Sequence, residues 1–139
     1  MTDETDAPDL PPGVGPHELR ELELMLAGSK PAARFSDAVV ARWIIPEDDF
    51  EPHVQAGRII KRVVFEANPG SFDAISVYYA LPGEEWRIDA LQAIDEAIHS
   101  KLRPATEQDD IDTGRLLGYT EEEIAIFLAW VAPSRPPQG

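Results

Sequence analysis

The residues able to do chemistry in this chain are scattered, and none stands at a spacing that chemistry requires. His17, His53 and His99 belong to three different segments, and none has a second histidine four residues on. Two imidazoles must share one helix face to hold an ion, so the helical metalloprotease pattern is absent. His53 follows Glu47, Asp48, Asp49 and Glu51, but these oxygen donors fit no ligand template. Glu107, Asp109, Asp110 and Asp112 superficially resemble a calcium loop. They lack the ordered acids, the glycine and the closing glutamate that wrap the cation. They read better as acids at the start of a helix, and neither a metal nor a cofactor is expected.

Nucleophiles fare no better. The chain has no cysteine, which removes thiol catalysis, cysteine metal sites and disulfides. Ser29, Ser36, Ser71, Ser76, Ser100 and Ser134 lack the G-x-S-x-G context that lifts a serine onto a sharp turn. Gly13-Val-Gly15 follows no strand, so it is no dinucleotide fingerprint, and there is no phosphate-binding loop. Paired-carboxylate catalysis stays open, because acids abound and sequence distance says little about spatial distance. No catalytic residue is identified, and the reading leans away from an enzyme.

Two candidate surfaces remain. Arg42, Trp43, Lys61, Arg62, Ser76 and Tyr78 would form a cationic, aromatic patch for an anion if strand register brought them to one sheet face. Against this, the bases could simply pair with nearby acids such as Glu66. Asp109, Asp110, Asp112, Glu121, Glu122 and Glu123, with Ile126 and Trp130 beside them, would form an acidic partner-binding surface.

The elements that must position these groups are legible in outline. Arg58–Leu81 reads as a β-hairpin: two runs rich in β-branched and aromatic residues flank Asn-Pro-Gly-Ser-Phe-Asp. Within it Ile75, Val77, Tyr79 and Leu81 predict a core face. Ala74, Ser76, Tyr78 and Ala80 predict a smaller, more polar one, either covered by a helix or open to a ligand. The β-branched run Ala38–Ile45, stopped by Pro46, predicts another strand. Ser29–Asp37 before it reads as a connector with room for a fourth short strand.

Helices are predicted over Pro16–Gly28, Phe50–Ala56 (capped by Asp49), Glu84–Leu102, and two stretches within Thr106–Trp130 joined at Gly118. Thr120-Glu-Glu-Glu123 predicts a capping box, the threonine accepting from Glu123 N–H while the Glu123 carboxylate reaches back. The fold class is therefore α+β: a three-stranded, mainly antiparallel sheet with helices packed against it, in the order α-β-α-β-β-α-α-α. At 139 residues the chain suits one domain over 16–132. Residues 1–15 read as a disordered acidic tail and 133–139 as a proline-rich tail.

Charge narrows the partners. The net charge is −14, which repels nucleic acid and anionic membranes, since both are bound by lysine and arginine. The helix–Gly118–helix segment invites comparison with a DNA-binding helix-turn-helix, but residues 104–130 hold seven acids and one base. No apolar run approaches the ~20 residues of a membrane span, and the acidic start lacks the apolar stretch of a secretory signal. The sequence thus predicts a cytoplasmic, acidic, non-catalytic protein-binding module of the inhibitor or immunity kind, acting on a basic protein. The competing expectations are a small ligand-binding or enzymatic domain using the sheet face, and a self-associating subunit using Ile126 and Trp130.

Overall fold

The computed structural model describes residues 20–99 and 104–131. The two tails lie outside the described residues, as does the first part of the predicted Pro16–Gly28 helix. In chain order the elements are α1 (Glu21–Leu26), β1 (Ala32–Ala38), a 3-10 helix (Val39–Ile44), α2 (Glu47–Gln55), β2 (Ile60–Glu66), β3 (Ala74–Ala80), α3 (Glu85–His99), α4 (Glu107–Leu117) and α5 (Glu121–Val131). The three strands form one antiparallel sheet in the order β1-β3-β2. The α+β class and the element order are those predicted.

β3 is the central strand, and both its faces are buried. Ile75, Val77 and Tyr79 face a core built with Met25 of α1 and Phe50 of α2. Tyr78 and Ala80 face a second core built with Ile88 and Leu91 of α3 and Leu116 of α4. The face that alternation marks as the more polar one is therefore covered by helices. Small residues make this possible: Ala32 and Ala80, fully buried and paired across the sheet, let α3 and α4 approach closely.

One strand lies elsewhere than predicted. The strand expected over Ala38–Ile45 is found at Ala32–Ala38, and Val39–Ile44 turns as a 3-10 helix. Tertiary pairing overrides β-propensity here. β3 begins at Ala74, which pairs with Ala38, so no strand remains beside Val39. The Val39 N–H instead donates to the Asp73 carbonyl at 2.8 Å, and the chain bends away. α2 also begins three residues earlier than predicted, at Glu47, with Pro46 rather than Asp49 at the N-cap position. Its first turn then gathers Glu47, Asp48 and Asp49 at the positive end of the helix dipole.

The last two helices meet at a tight corner. Thr106 and Asp109 form a reciprocal capping box on α4, and Thr120 and Glu123 form the predicted one on α5. A Cβ added at Gly114 would lie 2.8 Å from Ile124 Cγ1, so that glycine sets the approach of α4 to α5. Gly118 ends α4 at φ +90°, against Pro31. Two cations take the terminal carbonyls of α4: Arg87 donates to Arg115 and Leu116, and the buried Lys30 ammonium donates to Leu117 at 2.6 Å. Lys30 also lies 4.9 Å from the Tyr119 ring centroid. Burial pushes its ammonium down to about 8 from an ordinary 10.5.

Candidate interaction surface

The six residues expected to converge on one sheet face do not meet. Lys61 and Arg62 are consecutive in β2 and so point to opposite faces. Lys61 lies on the α2 side, 3.1 Å from Glu47 and 3.4 Å from Glu51. Arg62 lies on the α3 side, 2.8 Å from Asp89 and 2.9 Å from Gln92. Ser76 hydrogen-bonds Ser36. The buried Tyr78 hydroxyl donates to Asp95 at 2.7 Å, whose other oxygen accepts from Arg34 at 2.8 Å. Burial, with the Asp95 contact adding to it, raises the Tyr78 pKa. Glu66 pairs with none of these bases and instead lies 3.5 Å from His99.

Arg42 and Trp43 belong to the 3-10 helix and open a different site. Arg42 binds Glu47 through two nitrogens, at 2.8 and 2.9 Å, and stacks over the Phe65 ring. Hydrogen bonds from Arg42, with Lys61 adding to them, hold the Glu47 carboxyl down at about 2. Beneath this cluster Tyr79 stacks on Phe50, ring centroids 4.0 Å apart. Its buried hydroxyl has no hydrogen-bond partner among the described residues. Burial, with the charge of Glu47 next, raises its pKa.

Around these groups the apolar surface concentrates. Eight large apolar side chains are exposed among the described residues, and six of them lie at this end of the sheet: Val39, Val40, Trp43, Ile44, Phe65 and Phe72. Their exposure runs from 36% for Val39 to 82% for Trp43. Two contacts gather them. The Val39–Asp73 bond ties the 3-10 helix to the hairpin loop beside Phe72, and Arg42 lies over Phe65. Large apolar side chains gathered at one end of a sheet, with tryptophan, phenylalanine and arginine among them, have the composition of an interface core. Asp37, Asp48, Asp49 and Asp73 flank these residues in sequence, and no cation pairs with the four acids among the described residues. Along the chain the exposed apolar residues are thus bordered by acids.

The predicted acidic residues on α4 and α5 are engaged in several local roles. Asp109 is buried in its capping box, Asp112 accepts from Gln108, Glu121 takes both nitrogens of Arg115, and Glu123 caps α5. Glu122 is exposed and Ile126 half-buried; the Trp130 side chain lies outside the described residues. Asp110 and Glu123 line a cavity of about 220 Å³ between β1, α4 and α5, with Leu117, Ile124 and Phe127 as its apolar wall. That is below the roughly 300 Å³ at which drug-sized ligand pockets begin. Among the described residues no group of three or more histidine or carboxylate side chains is placed to hold a metal. No described helix is long and apolar enough to cross a membrane.

Sequence reasoning missed the patch, though its signal was present. Val39-Val40 and Trp43-Ile44 are apolar on both sides of an extended reading, more than one strand position can bury. Compared with known proteins, the chain matches no family model, no curated protein and no solved structure.

Proposed function

We propose that this protein is a non-catalytic, cytoplasmic binding module that holds another protein against its aromatic end, in the manner of an inhibitor or immunity protein. The observation that carries the reading is the gathering of six exposed apolar side chains around Trp43 and Phe65. A solvent-facing patch of large apolar groups is costly to leave bare, and burying it against a partner supplies the driving force. The acids Asp37, Asp48, Asp49 and Asp73, which no cation neutralises among the described residues, set the partner's chemistry: an apolar contact surface with lysine or arginine at its edge. The same charge disfavours nucleic acid and anionic lipid. The acidic groups of α4 and α5 contribute through the field of the whole molecule rather than as the contact surface.

The test is affinity capture from the source cell with wild-type bait and with Trp43→Ala/Phe65→Ala bait, followed by calorimetry with the purified captured protein. Truncating two central aromatics should weaken binding by about 100-fold or more, since hot-spot residues each contribute about 2 kcal/mol. Asp48→Lys/Asp49→Lys should mainly slow association and flatten its salt dependence. A captured partner whose affinity survives the aromatic truncation would refute the site.

A further inference from the structure

The edge strand β2 carries a second inference, independent of the aromatic end. Among the described residues β2 pairs only with β3, and no other backbone or side-chain group bonds to the main chain of Ile60–Glu66. One side of a seven-residue strand therefore presents its N–H and C=O groups outward, a template for another strand.

The usual guards of such an edge are missing. β2 contains no proline, and its two cations are drawn away over opposite faces, Lys61 to Glu47 and Glu51, Arg62 to Asp89. Lysine and arginine protect an edge when their heads stand free beside it; here Lys61 is tied down, and Arg62 is engaged among the described residues through Nη1 alone, which leaves the rest of its guanidinium for a carboxylate across the edge.

We propose that two copies of this chain join along β2, antiparallel and edge to edge, extending the sheet to six strands. Charge selects this surface. A chain of net charge −14 repels its own copies over most of its surface, yet β2 itself holds Lys61 and Arg62 against Glu66 alone. Charge also selects the register. With Arg62 opposite Glu66 of the second copy, Val63 meets Phe65, Val64 meets its own copy, and no like charges face one another. By symmetry the oppositely charged pair and the aromatic–β-branched pair each occur twice, both favourable cross-strand combinations. Joints this small fall in the class of weak, reversible interfaces, so the dimer forms with rising concentration.

Sedimentation equilibrium on the full chain, from about 10 µM to 1 mM to span weak interfaces, should show a monomer–dimer equilibrium. Arg62→Glu should weaken it at least tenfold, because it sets two carboxylates against each other at both symmetric positions, and Arg62→Glu/Glu66→Arg should restore it. Circular dichroism melts confirm that each variant folds. Val64→Cys gives a second readout that needs no equilibrium constant. A residue facing its own copy across an antiparallel pair has Cα atoms about 4.5–5.5 Å apart, within the disulfide range of about 4.4–6.8 Å. The chain has no other cysteine, so mild oxidation should give a covalent dimer from Val64→Cys and not from the exposed control Gln108→Cys. A protein that stays monomeric throughout overturns the proposal, even if β2 takes up a strand from some other protein. So does a dimer indifferent to Arg62→Glu, or one that cross-links equally through Gln108→Cys. Trp43→Ala should leave the dimer intact, which separates failure here from failure of the aromatic site.

Discussion

Tyr78 and Tyr79 are neighbours in β3 whose hydroxyls enter opposite layers, and removing each should move stability in opposite directions. The Tyr79 hydroxyl is fully buried, with no partner among the described residues. A buried hydroxyl left unsatisfied costs about 1–3 kcal/mol. Tyr79→Phe keeps the ring stacked on Phe50 at 4.0 Å and discards the orphaned group, so a gain of about 1 kcal/mol is expected. The Tyr78 hydroxyl donates to Asp95 at 2.7 Å, and a hydrogen bond to a charged group contributes about 1.5–3 kcal/mol. Asp95 keeps its contact with Arg34 when the hydroxyl is gone, which places the loss near the lower end, at about 1.5 kcal/mol. The two single-atom deletions should therefore differ by about 2.5 kcal/mol. Urea unfolding resolves this readily: with a slope of about 1–3 kcal/mol per molar for a small domain, the two midpoints should lie about 1 M or more apart. Tyr79→Phe must unfold above wild type and Tyr78→Phe below it. A Tyr79→Phe midpoint below wild type would show that the hydroxyl has a hydrogen-bond partner in solution, and would refute the orphan assignment.

Other perturbations read other parts of the molecule. Burial holds the Lys30 pKa near 8, below its ordinary 10.5, so between these values the unfolded chain binds the extra proton. Stability should rise over that window by on the order of 2 kcal/mol, a rise that Lys30→Met should abolish in urea titrations at stepped pH. Above pH ~10 the raised pKa values of Tyr78 and Tyr79 act in the opposite sense, because the unfolded tyrosines ionise first and stability falls. On the acid side Glu47, held at about 2 by Arg42, contributes stability that is present above pH 4.5 and lost as the pH falls toward 2. Its share, on the order of 2 kcal/mol, should be missing from that acid loss in Glu47→Gln. Gly114→Ala should destabilise by about 1–3 kcal/mol in thermal melts, since its methyl would press into Ile124.

What the sequence made legible was local. The hairpin, α3 over its described residues and the Thr120–Glu123 box depend on residues a few positions apart, and they lie where alternation and capping chemistry place them; the predicted end of α3 at 100–102 lies outside the described residues. β1 was not legible, because its end is set by where β3 begins, more than thirty residues later. The face of Lys61 and Arg62 was lost for a simpler reason. Adjacent residues in a strand cannot share a face, whatever their common charge suggests. The polar alternation of Ser76 and Tyr78 was correctly visible, but the carboxylate that answers it, Asp95, comes from α3. The patch was hidden because Val39–Ile44 reads as buried strand by composition, and only the missing neighbour beyond Ala38 exposes it.

The strand order has a consequence for synthesis. Among the described residues β1 pairs with β3 and not with β2, which is made sooner, so it leaves the ribosome well ahead of that partner. At roughly 5–20 residues per second, several seconds pass before Ala74–Ala80 follows Ala32–Ala38 out. During that wait β1 lacks its β3 partner, while β2 and β3 close as neighbours soon after both emerge. The hairpin is thus the template and β1 the late arrival. A ribosome stalled just short of β3 should carry a nascent chain with β1 still open to protease.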